Sequence, residues 1–134
     1  MRRLEGTNYA ARKAVMADPK QKEIRAAKVL EDNGHTVYFT PENKTRYMKN
    51  YDAIIDGRLG EFKAPKKFTQ IKNRLDDADG QKASIVCIEP STKNHTINDA
   101  IKEIKDWFKN SQHPINYVDT VLLIWEKQVT TIKK

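Results

Sequence analysis

Three charged residues are spaced so that their side chains can meet on two short apolar segments near the middle of the chain. Asp52 lies in YDAIID, residues 51–56, and Glu61 and Lys63 lie in GEFK, residues 60–63. Side chains two residues apart in a strand point to the same face, so Glu61 and Lys63 share a face and Phe62 lies opposite. If the two segments pair as a hairpin, Asp52, Glu61 and Lys63 converge on one side of it.

Two carboxylates this close are mutually unfavourable unless a cation neutralises them. Mg²⁺ suits the position because it prefers carboxylate oxygens and keeps several of its waters. A metal there can lower the pKa of a bound water and offset the charge that develops on a phosphate. Lys63 can position the attacking water or stabilise the charge of the transition state. The alternative is a solvated hairpin face with cross-strand ion pairs, each contributing about 0.2–1 kcal/mol.

Two side chains near this trio have both a structural and a functional interpretation. Asp56 shares the face of Asp52 and can serve as a second carboxylate, but Asp-Gly is also a common turn pair, so both interpretations stay open. Gln81 comes just before the next apolar segment and can reach the site from there as a catalytic residue. The alternative for Gln81 is a solvated loop position.

The elements that must position these residues follow from caps, turns and apolar periodicity. Asp18-Pro19 predicts the start of a helix, and Gly34 predicts its end. The predicted helices, each with apolar residues at helical spacing, are residues 19–33, 66–80 and 97–110. The predicted strands, rich in β-branched and apolar residues, are residues 35–40, 51–56, 59–63, 83–90 and 118–129. Thr96 and Asp99 predict a cap at the start of the last helix.

This order of elements predicts an α/β (α+β) fold with a mixed β-sheet flanked by helices on both faces. The chain has 134 residues, enough for one domain. Residues 1–17 are basic and rich in alanine, and we interpret them as a flexible N-terminal segment or linker rather than a loose helix. Residues 18–134 then form the single domain.

Composition excludes several classes of protein. No apolar stretch approaches the roughly 20 residues that span a bilayer, so no membrane anchor is expected. A single cysteine, Cys87, excludes an internal disulfide and a multi-cysteine zinc site. The 25 Lys and Arg against 18 Asp and Glu give a net charge of +7, which favours a polyanionic partner such as nucleic acid.

The pattern D-(8 residues)-E-x-K, formed by Asp52, Glu61 and Lys63, resembles the motif of the PD-(D/E)xK nucleases, with Tyr51 in place of the proline. The order helix, three strands, helix, strand from residue 19 to 89 resembles the restriction-endonuclease-like core of that superfamily. An early helix of that core often adds an acidic residue. The resemblance therefore implies that Glu23 is a third catalytic and metal-binding carboxylate beside Asp52 and Glu61.

A narrower resemblance lies in KVLEDNGHTVYFTP followed by YDAIIDGRLGEFK, which is similar to the C-terminal toxin domains of contact-dependent growth inhibition systems. Many of these domains cleave tRNA. The resemblance implies a Mg²⁺- or Mn²⁺-dependent nuclease toxin for RNA, preferably tRNA, with a cognate immunity protein. It also implies the C-terminal part of a larger delivered protein that acts in the cytoplasm of a target bacterium. A DNA endonuclease of the same fold and a non-catalytic nucleic-acid-binding module are the alternatives.

Five basic residues beside the motif are candidate contacts to the phosphate backbone of such a substrate. One is in the predicted hairpin turn and four are in or beside the helix that follows it: Arg58, Lys66, Lys67, Lys72 and Arg74. The alternative for these residues is a solvated helical surface. If they bind the substrate, binding weakens as the salt concentration rises.

Overall fold

The computed structural model describes residues 21–39 and 53–134. The predicted segment 1–17, the predicted helix start at Asp18-Pro19 and the candidate ligand Asp52 lie outside the described residues. Among the helices that are described, none has both the length and the apolar character needed to cross a membrane.

The first helix, α1 (Gln21–Asp32), buries Ala26, Ala27 and Leu30 against the sheet. Its end is a Schellman motif, in which the N–H of residue 35 donates to the carbonyl of Leu30 at 2.9 Å and the N–H of Gly34 donates to the carbonyl of residue 31 at 3.0 Å. Gly34 has φ +90, a left-handed conformation that glycine adopts without steric cost. The prediction that Gly34 ends this helix is confirmed.

A six-stranded mixed sheet forms the centre of the described chain, with the strands side by side in sequence order. The first three strands and the last two pair antiparallel, whereas the two middle pairings, of the third with the fourth and of the fourth with the fifth, are parallel. The strands are β1 (Val37–Phe39), β2 (Ala53–Ile55), β3 (Arg58–Lys63), β4 (Ile85–Ile88), β5 (Thr120–Trp125) and β6 (Gln128–Lys133).

Helices cover both faces of this sheet, so the predicted mixed sheet flanked by helices is confirmed. Helix α1 packs on one face, where Phe62, Cys87 and Leu122 are buried. Helices α2 (Ile71–Gly80) and α3 (Ile97–Asn110) pack on the other face. Burial raises the pKa of the Cys87 thiol, and the nearby Glu89 raises it further, as expected for a core cysteine.

Two predicted elements differ from the observed ones. The predicted strand 118–129 is two strands, because the chain turns back at Glu126 and Lys127, which have φ of 49° and 65°. The predicted helix 66–80 begins as a 3₁₀ turn at Phe68–Gln70 and becomes α2 only at Ile71.

The cap predicted before α3 is confirmed. The Thr96 hydroxyl accepts a hydrogen bond from the Asp99 N–H at 3.2 Å, and the Asp99 carboxylate accepts one from the Thr96 N–H at 2.9 Å. This reciprocal capping box holds the Asp99 pKa below its usual value, chiefly through the backbone N–H of Thr96.

Candidate active site

Strand β3 places Glu61 and Lys63 side by side on the face covered by α2 and α3. In the parallel ladder Glu61 is opposite Val86 and Lys63 is opposite Ile88, and both of those residues belong to the core under α2 and α3. The Lys63 Nζ lies 3.7 Å from the Glu61 Oε1. The predicted same-face arrangement of Glu61 and Lys63 is therefore confirmed.

Burial gives this pair its chemical character. Glu61 is 2% exposed, and the Lys63 side chain is 16% exposed. A charged pair with so little solvent gains little net stability, because the cost of removing both charges from water offsets their attraction. The pair is therefore better explained by a role in binding or catalysis, for which a carboxylate and an ammonium must be held in place, than by a contribution to stability.

Gln81 completes this group from the end of α2. Its Oε1 accepts a hydrogen bond from the Lys63 Nζ at 2.8 Å. Its own backbone N–H is held by the carbonyls of residues 77 and 78 at 3.0 and 3.1 Å, so the last turn of the helix fixes its position. Gln81 thus contacts Lys63, and its place in a catalytic site stays a prediction.

Glu23, on the helix that covers the other face of the sheet, lines a cavity that Lys63 also lines. It is half-buried on α1, one turn before Ala27. The cavity, of about 520 Å³, is lined by Glu23, Lys63, Phe62 and Glu89, among others. Lys63 thus lines the cavity beside Glu23, and its ammonium lies near Glu61 and donates to Gln81.

The predicted metal set is described only in part, because Asp52 lies outside the described residues. Within 21–39 and 53–134, no three His, Cys, Asp or Glu side chains form a group that can hold a metal ion. Carboxylate oxygens such as those of Glu61 are the ligand type that Mg²⁺ prefers, usually one or two carboxylates with waters in the other positions. Mg²⁺ or Mn²⁺ binding by Asp52, Glu61 and Glu23 stays a prediction.

Arg58 does not lie near this group. It starts β3, five residues before Lys63, which corresponds to about 17 Å along a strand. Its guanidinium donates to the Asp119 carboxylate and, at 2.8 Å, to the Thr120 hydroxyl. Burial acts to raise the Asp119 pKa, but the hydrogen bonds from Thr120 and Arg58 outweigh it, so the pKa is lowered. These contacts place Arg58 at the other end of β3 from Lys63, and substrate contact by Arg58 stays a prediction.

The four basic residues predicted after β3 divide into two pairs. Lys66 and Lys67 are exposed in the segment that leaves the strand. Lys72 donates to Asp106 of α3, and this hydrogen bond raises the Lys72 pKa and lowers that of Asp106. The Arg74 Nη2 lies 3.4 Å from the Asp77 Oδ2 on the same helix. On α2, therefore, both basic side chains are engaged with carboxylates, and substrate contact by all four stays a prediction.

Two carboxylates have structural roles that local patterns do not fully indicate. Asp56 occupies the turn between β2 and β3 with φ 50, and its carboxylate accepts from the Thr36 N–H at 2.9 Å and lies 2.7 Å from the His35 Nδ1. Its turn interpretation is thus the one observed. Asp79, 9% exposed, accepts three backbone N–H groups from residues 116–118 at 2.7–3.1 Å. No sequence pattern indicates that contact, because the partners are 37–39 residues away.

Comparison with known proteins finds likeness in structure but not in sequence. No protein-family model matches the chain, and no curated protein does. A chain of the CdiA-CT/CdiI toxin and immunity complex from Burkholderia pseudomallei is similar, with a TM-score of 0.63 and 21% identity. The match covers 84% of this chain and 83% of that one. The two chains therefore share a fold over most of their lengths.

Proposed function

We propose that this chain is a nuclease toxin domain that hydrolyses phosphodiester bonds in RNA with the help of Mg²⁺ or Mn²⁺. One observation carries the proposal, namely the nearly buried Glu61 beside Lys63, with Gln81 holding the ammonium and a cavity opening next to it. A cation kept from solvent attracts a reacting phosphate more strongly than the same cation in water, and a carboxylate kept from solvent attracts a metal cation more strongly.

The residues have distinct roles in this proposal. Glu61 and Asp52 would hold the metal ion, and Glu23 would contribute from the α1 side. Bound there, the ion would lower the pKa of a water and offset phosphate charge. Lys63 positions the water and stabilises the developing charge on the phosphate, and Gln81 keeps the Lys63 ammonium directed at that place.

The biological part of the proposal is supported by fold likeness and charge. The similar chain belongs to a complex of a toxin with its immunity protein, so we propose a toxin with a cognate immunity protein for this chain as well. The net charge of +7 suits a protein that binds nucleic acid. The preference for tRNA, the larger delivered parent protein and the action in a target cell's cytoplasm rest on the resemblance in sequence.

The test is a cleavage assay with separate substrates. We expect the purified protein to cut unfractionated tRNA in Mg²⁺, to lose that activity in EDTA, and to leave plasmid DNA intact. Cleavage of plasmid instead of tRNA would favour the DNA endonuclease, and binding without cleavage would favour the non-catalytic module.

Two matched pairs of variants assign the activity to the candidate site. Glu61→Gln and Lys63→Ala should each lower the rate of tRNA cleavage at least about 100-fold. Glu126→Gln in the exposed β5–β6 turn and Lys105→Ala on the exposed side of α3 remove the same charges and should cut at the rate of the original protein. Equal activity of all four variants would rule out this site.

A further inference from the structure

A second cavity adjoins the one beside Lys63. It has a volume of about 310 Å³ and shares Lys22, Arg25, Ala64 and Glu89 with the first. Because four residues border both spaces, the two form one continuous depression between α1 and the segments that follow β3 and β4. We name this depression the basic groove after its four cationic residues, which are Lys22, Arg25, Lys63 and Lys66.

The charges of the basic groove differ from those around α2. Four cations line it against two carboxylates, Glu23 and Glu89. Lys22 and Arg25 are exposed, and neither forms an ion pair with another described residue. Lys72 and Arg74 of α2, in contrast, are engaged with Asp106 and Asp77. Cations that are not already paired are the ones that can exchange small counterions for phosphates.

We infer that the basic groove binds the sugar-phosphate backbone of the RNA beside the scissile phosphate, with Lys22 and Arg25 of α1 as its main contacts. This inference rests on the proposed function, because the scissile phosphate is placed at Lys63. The sequence predicted contacts to the RNA backbone from Lys72 and Arg74 of α2, whereas this inference assigns the main contacts to α1 and Lys66. The groove starts at Lys63, so a strand lying in it passes the candidate catalytic group.

Binding of a labelled RNA in EDTA tests the inference without cleavage. The probe is a fluorescein-labelled 20-nucleotide single-stranded RNA, followed by fluorescence anisotropy, with a DNA of the same sequence as a second arm. The double variant Lys22→Ala/Arg25→Ala should weaken RNA binding at least about tenfold in 0.1 M salt. It should also reduce the slope of log Kd against log salt by about 1.4, which is twice the roughly 0.7 for each phosphate of a single strand. Equal effects on RNA and DNA support the inference too, since the two share the backbone.

The matched control is Lys102→Ala/Lys105→Ala on α3, which removes two exposed cations at the same i, i+3 spacing. It should change the RNA affinity less than about threefold. An equal or larger effect of the control pair would overturn the inference, as would a parent protein that does not bind the RNA. Cleavage of tRNA by a protein whose binding ignores Lys22 and Arg25 would overturn the inference and keep the proposed function. RNA binding that depends on Lys22 and Arg25, in a protein that cleaves no RNA, would keep the binding surface and overturn the proposed function.

Discussion

Lys63 is the residue on which the candidate site depends. Its ammonium is 3.7 Å from the Glu61 carboxylate and 2.8 Å from the Gln81 amide oxygen. A lysine side chain has four rotatable bonds, and ordering them on binding a phosphate costs conformational entropy. Here Glu61 of β3 and Gln81 at the end of α2 already restrict the Lys63 side chain, so less of that entropy is lost when a phosphate binds. The group is thus positioned before any substrate arrives.

Gln81→Ala should therefore impair catalysis more than folding. Without its amide oxygen, the Lys63 ammonium keeps one described acceptor instead of two, and we expect the rate of tRNA cleavage to fall about tenfold. The measurement is a single-turnover cleavage rate together with a thermal melt. Gln128→Ala on the exposed start of β6 is the control, and an equal rate for both variants would remove Gln81 from the site.

Asp79 is expected to contribute more to stability than any exposed acidic residue of α2. Its carboxylate accepts the three N–H groups of residues 116–118, so Asp79→Ala leaves these donors without that partner and should cost about 3 kcal/mol in the free energy of unfolding. Urea denaturation measures this. Asp77→Ala, two residues earlier and exposed, should cost less than about 0.5 kcal/mol, and similar losses for the two variants would contradict the assignment.

Side chains alternate between the two faces of a strand, and this alternation explains which contacts of the site could be predicted from sequence. Glu61 and Lys63 share a face because they are two residues apart, which is a local property. Arg58 is also in β3, but its partners Asp119 and Thr120 are 61 and 62 residues further along the chain. Only the register of β3, β4 and β5 brings them together, and a short motif carries no information about that register.

At the scale of elements, β3 depends on a glycine in its interior. A Cβ built on Gly60 would lie 2.8 Å from the Ile55 Cδ1 and 3.3 Å from the Ile85 Cγ2, and both of those isoleucines are fully buried. Gly60 is thus required by close packing between β2 and β4 and not by its backbone angles.

Gly60→Ala should destabilise the protein by about 1–3 kcal/mol through overpacking. Ile55→Val removes the closest atom, so the double variant should lose less stability than the sum of the two single variants. Urea denaturation of all three proteins measures the coupling. Simple additivity would show that the contact between residues 55 and 60 is not the cause.

The turn that divides the predicted strand 118–129 was missed for a physical reason. The turn between β5 and β6 uses Glu126 and Lys127 in left-handed conformations, although such turns usually contain asparagine, aspartate or glycine. The pairing of β6 with β5 along six residues stabilises that turn from outside. Strong local signals, such as Gly34 and the Thr96–Asp99 cap, were sufficient for the helix ends.

At the scale of the whole molecule, acid should weaken the fold. The pKa values of Asp99, Asp106 and Asp119 are all lowered in the folded chain. A carboxyl group with a lowered folded pKa stabilises the protein fully above its unfolded value near 3.9, and this contribution is lost as the pH falls through the folded value. We expect the free energy of unfolding to decrease from about pH 5 downward.

Urea denaturation at a series of pH values tests this expectation. Asp106→Asn removes the carboxylate that Lys72 holds ionised, so the decline in acid should be less steep than in the original protein. Glu126→Gln in the exposed turn changes the net charge equally and should keep the original slope. A decline that Asp106→Asn leaves unchanged would place the acid sensitivity elsewhere.

The architecture was more predictable than the surface that would bind a substrate. Apolar strands and amphipathic helices determine a mixed sheet with helical layers, and the shared fold with a chain 21% identical agrees with this dependence on pattern rather than identity. Helix α1 has three basic and three acidic residues and helix α2 has two basic and three acidic residues, so composition hardly separates them. Packing does, because it places Lys72 against Asp106 and leaves Lys22 and Arg25 along a depression.

The position of Lys63 at the junction of both helical layers has a consequence for how this protein can change. Glu23 borders its cavity from one layer, and Gln81 holds its amine from the other. Gln81 adjoins Lys63 through a hydrogen bond and Glu23 lines the same cavity as Lys63, so we expect the effects of substitutions at these two positions on turnover to be epistatic. A variant with altered substrate specificity would then need a substitution in each helical layer. Such double variants arise less often than single substitutions.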